Sequence, residues 1–329
     1  MKIYALEEHF ATAEVMEAWK RRDPQLAEPM MKLAFASEVA EALVELGDER
    51  VAAMDDAGID TSVLSLTTPG LQNMDAAEAA ALQGPVNDLV ADAVRRHPGR
   101  LQGFAALATP APRAAADELR RAVTELGFNG ALVNSNSGGR SLDQPEFWDI
   151  YEAAADLRAP VYLHPRGPVP AVREAYYGGF GDPVDNLLAS GALGWHYDAG
   201  LTALRMIVAG VFDRFPDLQI VLGHWGEVVL FYLDRIGIVD GFAGLRRPVE
   251  EYFRTNVFIT PGGISSHKYL RWSLETVGAE RIMYASDFPF NRERDGAARR
   301  FLETAPISDE DREHIAFRNW EKLVAGIRR

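Results

Sequence analysis

Residues 112–134 read "PRAAADELRRAVTELGFNGALVN", a helix-length stretch joined to a short apolar run. In residues 112–127 apolar side chains recur every three or four positions, and Gly127 provides the stop that often follows a helix. The run "GALVN" at 130–134 is typical of a strand that is buried on both faces. The stretch therefore predicts a helix followed by a strand of a parallel sheet.

The same alternation recurs along the whole chain. Seven further apolar runs are separated by polar loops and helix-length stretches, at residues 2–6, 62–66, 101–107, 160–164, 219–224, 257–260 and 281–287. Strands that alternate with helices pair in parallel, and eight such units fit a closed barrel better than an open sheet. We expect an α/β fold, a (β/α)8 TIM barrel, with an open parallel sheet as the alternative. No Pro/Gly/Ser-rich linker is visible, so we predict one domain over residues 1–329.

Composition and charge exclude several classes of partner and site. The chain has 329 residues, of which 47% are apolar, a net charge of −14 and no cysteine. An acidic protein is repelled by nucleic acid and by anionic membranes, so neither is expected as a partner. Without cysteine, disulfides, thiolate metal ligands and a cysteine nucleophile are ruled out. Since no run reaches 18 apolar residues and the start does not resemble a signal peptide, we expect a cytoplasmic protein.

Two connections are longer than a barrel requires. They follow the first and the fifth predicted strands, at residues 11–46 and 165–197. Connections that follow the strands lie on the carboxyl-terminal face of a barrel, where binding sites form. We therefore expect these two loops to form the walls of a pocket and to contribute to a subunit interface.

Residue types that bind metals stand at the carboxyl ends of four predicted strands. Glu7 and His9 end the first strand, His164 the fifth, His224 the sixth and Asp287 the eighth. Glu7 and His9 are two residues apart and would point to the same side of a strand. Three of the seven histidines fall at such strand ends. Oxygen and nitrogen ligands that converge on one barrel mouth suit Zn²⁺ or Mn²⁺, so the pattern predicts a metal site.

The stretch "GHWGE" at 223–227 leaves the role of its carboxylate open. His224 and Glu227 are three residues apart and would share one face of a helix. They could be two metal ligands, a histidine oriented by a carboxylate, or the polar start of a helix, where a carboxylate favours the helix dipole. Five aromatic residues near these positions are candidates for the pocket or for packing at the top of the barrel: Phe10, Trp195, Trp225, Phe288 and Phe290.

Four short motifs, in this order along the chain, resemble one enzyme family. They are "LEEHF" (6–10), "YLHPR" (162–166), "LGHWGE" (222–227) and "ASDFPF" (285–290). Together they resemble the amidohydrolase-related aromatic acid decarboxylases, which include γ-resorcylate, 2,3-dihydroxybenzoate and aminocarboxymuconate semialdehyde decarboxylases. The resemblance covers nearly the whole chain and implies an amidohydrolase-like barrel.

The resemblance implies a chemical role for each matching residue. Glu7, His9, His164 and Asp287 would hold one divalent metal per chain, Zn²⁺ or Mn²⁺. His224, paired with Glu227, would stand beside the metal as an acid or base. Asp287 is a second candidate for the donor of a proton.

The resemblance also implies contacts with an aromatic carboxylic acid and with a second subunit. Arg50 looks like the arginine that meets the substrate carboxylate in some members, and Arg235 like one that reaches the active site of a neighbouring subunit. His196 would replace a histidine that the family often places where this chain has Thr202. Phe288, next to Asp287, is a further candidate for substrate binding. A homodimer or a homotetramer is expected.

The resemblance implies metal-dependent, non-oxidative decarboxylation of a hydroxylated aromatic acid resembling dihydroxybenzoate. Direct loss of CO₂ would leave an aryl anion without delocalisation, whereas a ring carbon that is protonated first can expel CO₂ and regain aromaticity. The alternative is a mononuclear metal-dependent hydrolase of a lactone or an amide. Hydrolytic relatives usually begin with His-x-His and carry a carboxylated lysine after the fourth strand. Here the first motif is Glu-x-His and the fourth strand ends in "VNSNSGG" (133–139), which favours the lyase.

Overall fold

The computed structural model describes residues 1–22, Glu28, Phe35 and residues 37–329. Its strands are short and mostly buried: β1 Tyr4–Phe10, β2 Thr61–Leu66, β3 Leu101–Gly103, β4 Ala105–Ala106, β5 Ala131–Asn134, β6 Asn136–Ser137, β7 Arg140–Ser141, β8 Val161–His164, β9 Ile220–Leu222 and β10 Val257–Ile259. Except for the small antiparallel hairpin of β6 and β7, neighbouring strands pair in parallel.

The parallel strands close into a ring. β1, β2 and β3 pair in that order, and β4, β5, β8, β9 and β10 pair in chain order. Single bridge pairs then connect Ile259 of β10 to Ile282, and Tyr284 to Ala5 of β1. The expected (β/α)8 barrel is thereby confirmed.

Two of the eight predicted strands differ in form from the expectation. The run at 101–107 is split at Phe104, because β3 pairs with β2 whereas β4 pairs with β5. The run at 281–287 is held by isolated bridges and by backbone hydrogen bonds, such as Leu6 N–H to Tyr284 O, and forms no continuous strand. Both stretches lie where the two parts of the ring are joined, so each must change its pairing partner within a few residues.

The interior of the barrel is filled by one large apolar side chain from each of the eight strand positions. These side chains, together with Trp320 of the last helix, form one cluster: Leu6, Val63, Phe104, Leu132, Tyr162, Val221, Phe258, Met283 and Trp320. Such a filled layer leaves no channel through the barrel. Polar side chains that end the strands are therefore collected at the mouth above this layer.

Helices surround the ring and bury a second, larger apolar core against its outer face. The α-helices are Ala13–Lys20, Ser37–Val44, Asp48–Ala57, Ala76–Arg96, Pro112–Thr124, Trp148–Leu157, Pro170–Tyr177, Asp182–Ala189, Gly194–Val208, Val211–Arg214, Leu233–Ile236, Val249–Asn256, His267–Val277, Ala297–Glu303, Asp309–Glu313 and Asn319–Ala325. Side chains of Thr12, Asp75, Ser266 and Ser308 cap four of them. Within the described residues, no helix is long and apolar enough to cross a membrane.

The two long connections carry secondary structure of their own. The segment after β8 contains the helices Pro170–Tyr177 and Asp182–Ala189 and the start of Gly194–Val208. The segment after β1 contains Ala13–Lys20 and Ser37–Val44. Positions 23–27, 29–34 and 36 of the expected pocket wall at 11–46 lie outside the described residues.

Candidate metal centre

An extra residue in β1 orients the first two candidate ligands. Ala5 pairs with Ser62 but Glu8 pairs with Leu64, so three steps along β1 correspond to two along β2. Such a bulge shifts the alternation of side chains by one. Because of the bulge, the consecutive side chains of Leu6 and Glu7 both face the inside of the barrel. Leu6 fills the interior, whereas Glu7 and His9 point to the mouth.

Glu7, His9 and His164 form a compact buried cluster at the mouth of the barrel. Glu7 Oε1 lies 3.1 Å from His164 Nε2 and 3.8 Å from His9 Nε2. Asp287 approaches from the other end of the chain, with its Oδ1 3.3 Å from His9 Nε2. The structure thus brings together the four residues for which a metal-binding role is predicted.

The hydrogen bonds of the two imidazoles leave both Nε2 atoms available to a cation. His164 Nδ1 lies 2.7 Å from Pro165 O, which can only accept, and His9 Nδ1 lies 3.3 Å from Ser65 Oγ. Burial lowers the pKa of His164, which favours its neutral form. In that form the Nε2 lone pair of His164 faces a carboxylate oxygen of Glu7, and two lone pairs that close require a cation or a proton between them.

Unpartnered atoms in the cluster also fit a metal ion. Glu7 Oε1 and His9 Nε2 are buried, and neither makes a hydrogen bond with any part of the chain that the structure describes. Burial by itself would raise the pKa of Glu7, but His224, His164 and His9 outweigh it and lower the value. An ionised carboxylate and neutral imidazoles form a donor set that suits Zn²⁺ or Mn²⁺.

Glu7 is oriented from below by a hydrogen-bonded pair. The hydroxyl of Tyr162 donates to Glu7 Oε2 and lies 2.7 Å from Thr260 Oγ1. Tyr162 is fully buried in the barrel interior. One carboxylate oxygen of Glu7 is thereby held by the barrel, and the other is directed at the histidines.

A second polar group stands beside this cluster and is centred on Glu227. Its two carboxylate oxygens lie 2.8 Å from His224 Nδ1 and 2.8 Å from His196 Nδ1, and His196 Nε2 lies 3.0 Å from Gly191 O. His224 Nε2 is 3.9 Å from Glu7 Oε1. Burial lowers the pKa of His224, but Glu227 and Glu7 outweigh it and raise the value to about 10. Glu227 thus orients His224 toward the predicted metal ligands.

The backbone between His224 and Glu227 is not the helix face expected from their spacing. His224, Trp225, Glu227 and Val228 all have positive φ angles, which place this segment in a left-handed turn. The turn is held where the N–H of Trp225 donates to Thr260 O, at 2.8 Å. Gly262 permits this close approach, because a Cβ there would lie 2.7 Å from the backbone N of His224.

The two groups open into one cavity of about 230 Å³. Its wall contains metal-cluster residues, aromatic side chains and small residues: His9, Thr68, His164, Gly191, Trp195, His196, His224, Gly262, Gly263, Ile264, Asp287, Phe290 and Asn291. Neither lysine nor arginine lines it within the described residues. Trp195 Nε1 and Thr68 Oγ1 are buried and have no hydrogen-bond partner in the described part of the chain.

Three residues with predicted substrate contacts lie outside this wall. Arg50 is buried and donates to the backbone carbonyls of His9, Ala42 and Glu45, at 2.7, 2.9 and 2.7 Å. The ring of Phe288 lies against the guanidinium of Arg50, 4.9 Å from its centre, whereas Phe290 lines the cavity. Arg235 is exposed on the helix Leu233–Ile236. Their substrate-binding roles stay predictions.

Several contributors to the site were not expected from the sequence. Tyr162, Ser65 and Asn134 orient the candidate ligands, and Thr68 and Asn291 line the cavity. Ser65 and Asn134 stand at or near strand ends like the predicted ligands, and Tyr162 precedes His164 by two residues in the same strand. Their position at or near strand ends could have pointed to these residues, but the neutral side chains of Ser65, Asn134 and Tyr162 do not by themselves suggest a metal site.

Residues 9–324 match the family model described as amidohydrolase. The chain belongs to the amidohydrolase family. Within this family, γ-resorcylate decarboxylase of Polaromonas sp. strain JS666 is 34% identical over 332 residues, with 97% of each chain covered. The resemblance inferred from the four motifs is therefore confirmed.

Solved structures of family members share the fold over almost their whole length. The 5-carboxyvanillate decarboxylase LigW from Sphingomonas paucimobilis is 33% identical, with a TM-score of 0.89 and 99% of each chain covered. The dihydroxybenzoic acid decarboxylase from Polaromonas sp. JS666, with bound manganese and the inhibitor 2-nitroresorcinol, is 33% identical, with a TM-score of 0.86. That comparison covers 98% of this chain and 97% of the other.

Proposed function

We propose that this member of the amidohydrolase family is a metal-dependent carboxy-lyase that decarboxylates a hydroxylated aromatic acid without oxidation. The observation that carries the proposal is the buried approach of Glu7 Oε1 to His164 Nε2, at 3.1 Å, beside His9 and Asp287. Relatives with this fold over their whole length are named as decarboxylases of dihydroxybenzoate and carboxyvanillate, which supports a lyase over a hydrolase of lactones or amides.

Glu7, His9, His164 and Asp287 would hold one divalent ion at the mouth of the barrel. The ion would supply a Lewis acid for the carboxylate and the ortho hydroxyl of the substrate. Tyr162 keeps one oxygen of Glu7 turned away from the cavity. Ser65 Oγ lies 3.3 Å from His9 Nδ1 and holds that side of the ring, whereas His9 Nε2 has no hydrogen-bond partner in the described chain. The chain therefore presents ligands whose orientations are set before substrate binds.

The reaction consumes one proton, which must reach the ring carbon that bears the carboxylate. Asp287 and His224 both line the cavity, and Glu227 holds the Nδ1 side of His224. His196 holds the second oxygen of Glu227, so this carboxylate cannot swing away from His224. We assign the proton donor to this pair of acids, Asp287 and His224.

The rest of the wall fits one substituted aromatic ring. Trp195, Ile264 and Phe290 offer apolar surface that would exclude water, and Thr68 and Trp195 offer unpartnered polar atoms for ring oxygens. Since no lysine or arginine lines the described wall, the only cationic groups offered to a carboxylate would be the bound metal and a protonated imidazole.

The test is an assay for carbon dioxide and phenol with a panel of ortho-hydroxybenzoates. Metal-free protein is loaded separately with Mn²⁺ and Zn²⁺, and a sample with chelator is the control. We expect turnover of at least one acid that requires metal and is lost in Asp287→Asn but not in Asp309→Asn, which alters an exposed surface carboxylate. Absence of turnover across the panel at one metal per chain would contradict the proposal.

We further propose that the enzyme is a homodimer or a homotetramer. Adjacent helices beside the cavity and the loops that follow them expose large apolar side chains: Tyr176, Phe180, Leu187, Tyr197, Leu201, Tyr232 and Phe242. Patches of this kind mark association sites. Arg235 lies in the same region, so a second copy would bring a guanidinium close to a cavity wall whose described residues include no lysine or arginine.

Sedimentation velocity tests this assembly. Leu187→Glu is expected to yield monomers, whereas Leu89→Glu, at an exposed leucine on the helix Ala76–Arg96, should leave the assembly intact. Arg235→Ala should raise KM for the acid without changing the sedimentation coefficient. A parent protein that sediments as a monomer would contradict the proposal.

Two broader proposals concern the whole chain. We propose that residues 1–329 form one domain, which a single cooperative unfolding transition of the metal-free protein would support. We also propose a cytoplasmic location, with which the absence of cysteine is compatible. Cell fractionation tests the location.

A further inference from the structure

Glu8 stands between the candidate ligands Glu7 and His9 but faces the outside of the barrel. Its side chain lines a small cavity together with Met54, Ala57 and Ile59, on the helix side of β1. It is only 2% exposed. Because neighbouring residues of a regular strand point to opposite faces, Glu8 points away from the cluster that Glu7 and His9 form with His164.

The carboxylate of Glu8 is bound to the residue that precedes Asp287. Ser286 donates its N–H to Glu8 Oε1 at 3.0 Å, and its Oγ lies 2.9 and 2.7 Å from the two oxygens of Glu8. The N–H of His9 also donates to Phe288 O at 2.7 Å. The two ends of the chain are therefore joined on both sides of Asp287.

Arg50 ties the same strand to two neighbouring segments. Its Nη2 donates to His9 O and to Ala42 O, and its Nε donates to Glu45 O. Its guanidinium also covers the ring of Phe288, the residue after Asp287. Glu8, Arg50, Ser286 and Phe288 surround one small cavity on the outer side of β1.

The position of Asp287 depends on such support. Its φ of +62° lies in the left-handed region, which a residue with a Cβ adopts only when its surroundings hold it there. Its carboxylate must nevertheless stay near His9, with Oδ1 at 3.3 Å from Nε2, although 278 residues separate the two in the chain. The hydrogen bonds of Ser286 and Phe288 to β1 provide this constraint.

We propose that Glu8, Ser286 and Arg50, together called the outer brace, position His9 and Asp287 for metal binding. The inference rests on the proposed metal site and assigns positioning roles to residues that do not touch the cavity. For Arg50 it differs from the predicted contact with a substrate carboxylate, since three of its N–H groups are directed at backbone carbonyls.

Titration of metal-free protein with Mn²⁺ by calorimetry tests the brace without substrate. Ser286→Ala and Glu8→Leu are expected to weaken Mn²⁺ binding about 10- to 100-fold, the range for groups that orient metal ligands. Glu8→Gln, which keeps an acceptor oxygen, should restore most of the affinity. Ser273→Ala is the matched control, because Ser273 is equally buried but its Oγ has no partner in the described chain.

Kinetics of the same variants separate positioning from direct contact with substrate. At Mn²⁺ concentrations that saturate each variant, we expect kcat to recover and KM for the acid to stay at the parent value. Arg50→Met should weaken Mn²⁺ binding. Arg50→Lys should do the same, because lysine keeps the charge but cannot reach three carbonyls; this variant replaces Arg50→Met in the test if Arg50→Met does not fold.

Two results would overturn the inference. One is parent affinity for Mn²⁺ in Ser286→Ala. The other is an Arg50 variant that raises KM while binding Mn²⁺ as the parent does, which would place Arg50 on the substrate. Failure of the proposed activity would appear separately, as a parent protein that binds Mn²⁺ but decarboxylates none of the acids.

Discussion

Replacing Tyr162 with phenylalanine should weaken metal binding without disturbing the barrel. The substitution removes one hydroxyl from a ring that is fully buried among Leu6, Phe104 and their neighbours. That hydroxyl donates to Glu7 Oε2 and contacts Thr260 Oγ1. Phenylalanine keeps the ring in place, so packing is preserved while Glu7 loses the group that orients it.

The magnitude follows from the charge of the acceptor. A hydrogen bond to a charged group contributes about 1.5–3 kcal/mol. Loss of the group that orients a metal ligand lowers metal affinity about 10- to 100-fold, which is about 1.4–2.7 kcal/mol at 25 °C. The two ranges agree, and we expect Tyr162→Phe to weaken Mn²⁺ binding by this amount.

Calorimetric titration with Mn²⁺ and urea unfolding of the metal-free protein check this expectation together. Tyr151→Phe is the matched control, because Tyr151 is also buried and its hydroxyl donates to Leu142 O at 2.9 Å and contacts Met206 Sδ at 3.7 Å, neither of which belongs to a predicted ligand. It should lose about 1 kcal/mol of stability and keep its affinity for Mn²⁺. If Tyr162→Phe bound Mn²⁺ as tightly as the parent, Tyr162 would have no part in orienting Glu7.

Three further expectations concern other parts of the site and its surroundings. Glu227→Gln removes the charge between His224 and His196, so kcat should fall about 100-fold or more while one metal per chain still binds. Steady-state kinetics measures kcat and metal analysis measures the bound metal; an unchanged kcat would contradict the expectation. Gly262→Ala should destabilise the protein more than Gly138→Ala in urea unfolding, since both residues have positive φ but only at Gly262 would the new Cβ meet another atom within 4 Å; equal losses would refute this. Burial raises the pKa of Asp198 from 3.8 to about 6, so its contribution to stability is present below pH 3.8 and is lost as the pH rises through 6. Asp198→Asn should therefore raise the melting temperature at pH 7.5 relative to the parent, and a gain confined to pH 4 would refute the sign.

The architecture was predictable because its signals are local. Each predicted strand is a short apolar run, and the run at 62–66 corresponds to β2 at Thr61–Leu66 within one residue. The helix predicted over 112–127 is observed as Pro112–Thr124. The two exceptions, at 101–107 and 281–287, are the stretches that change pairing partner, and pairing is not visible in an apolar run.

The candidate ligands were predictable because of where they stand in the chain. Glu7, His9, His164 and Asp287 stand at the carboxyl ends of predicted strands, and parallel strands that close into a barrel bring these ends to one mouth. The structure places Glu7 beside His9 and His164, and Asp287 beside His9. His196 was predicted to bind substrate, and it does line the cavity, but its contact with Glu227 was not predictable because 31 positions separate the two residues.

The sequence by itself determined the number of strand and helix units, the residue types at the strand ends and the family resemblance. These depend on hydrophobic periodicity and on chemistry at single positions, which are local properties. Only the tertiary structure decided which side chains face the cavity. The bulge in β1 depends on its register with β2, the left-handed turn at His224 depends on contact with Thr260 and Gly262, and Arg50 faces the backbone of His9. Register and close approach arise from hydrogen bonds and packing between distant segments, so they exist only once the chain is folded.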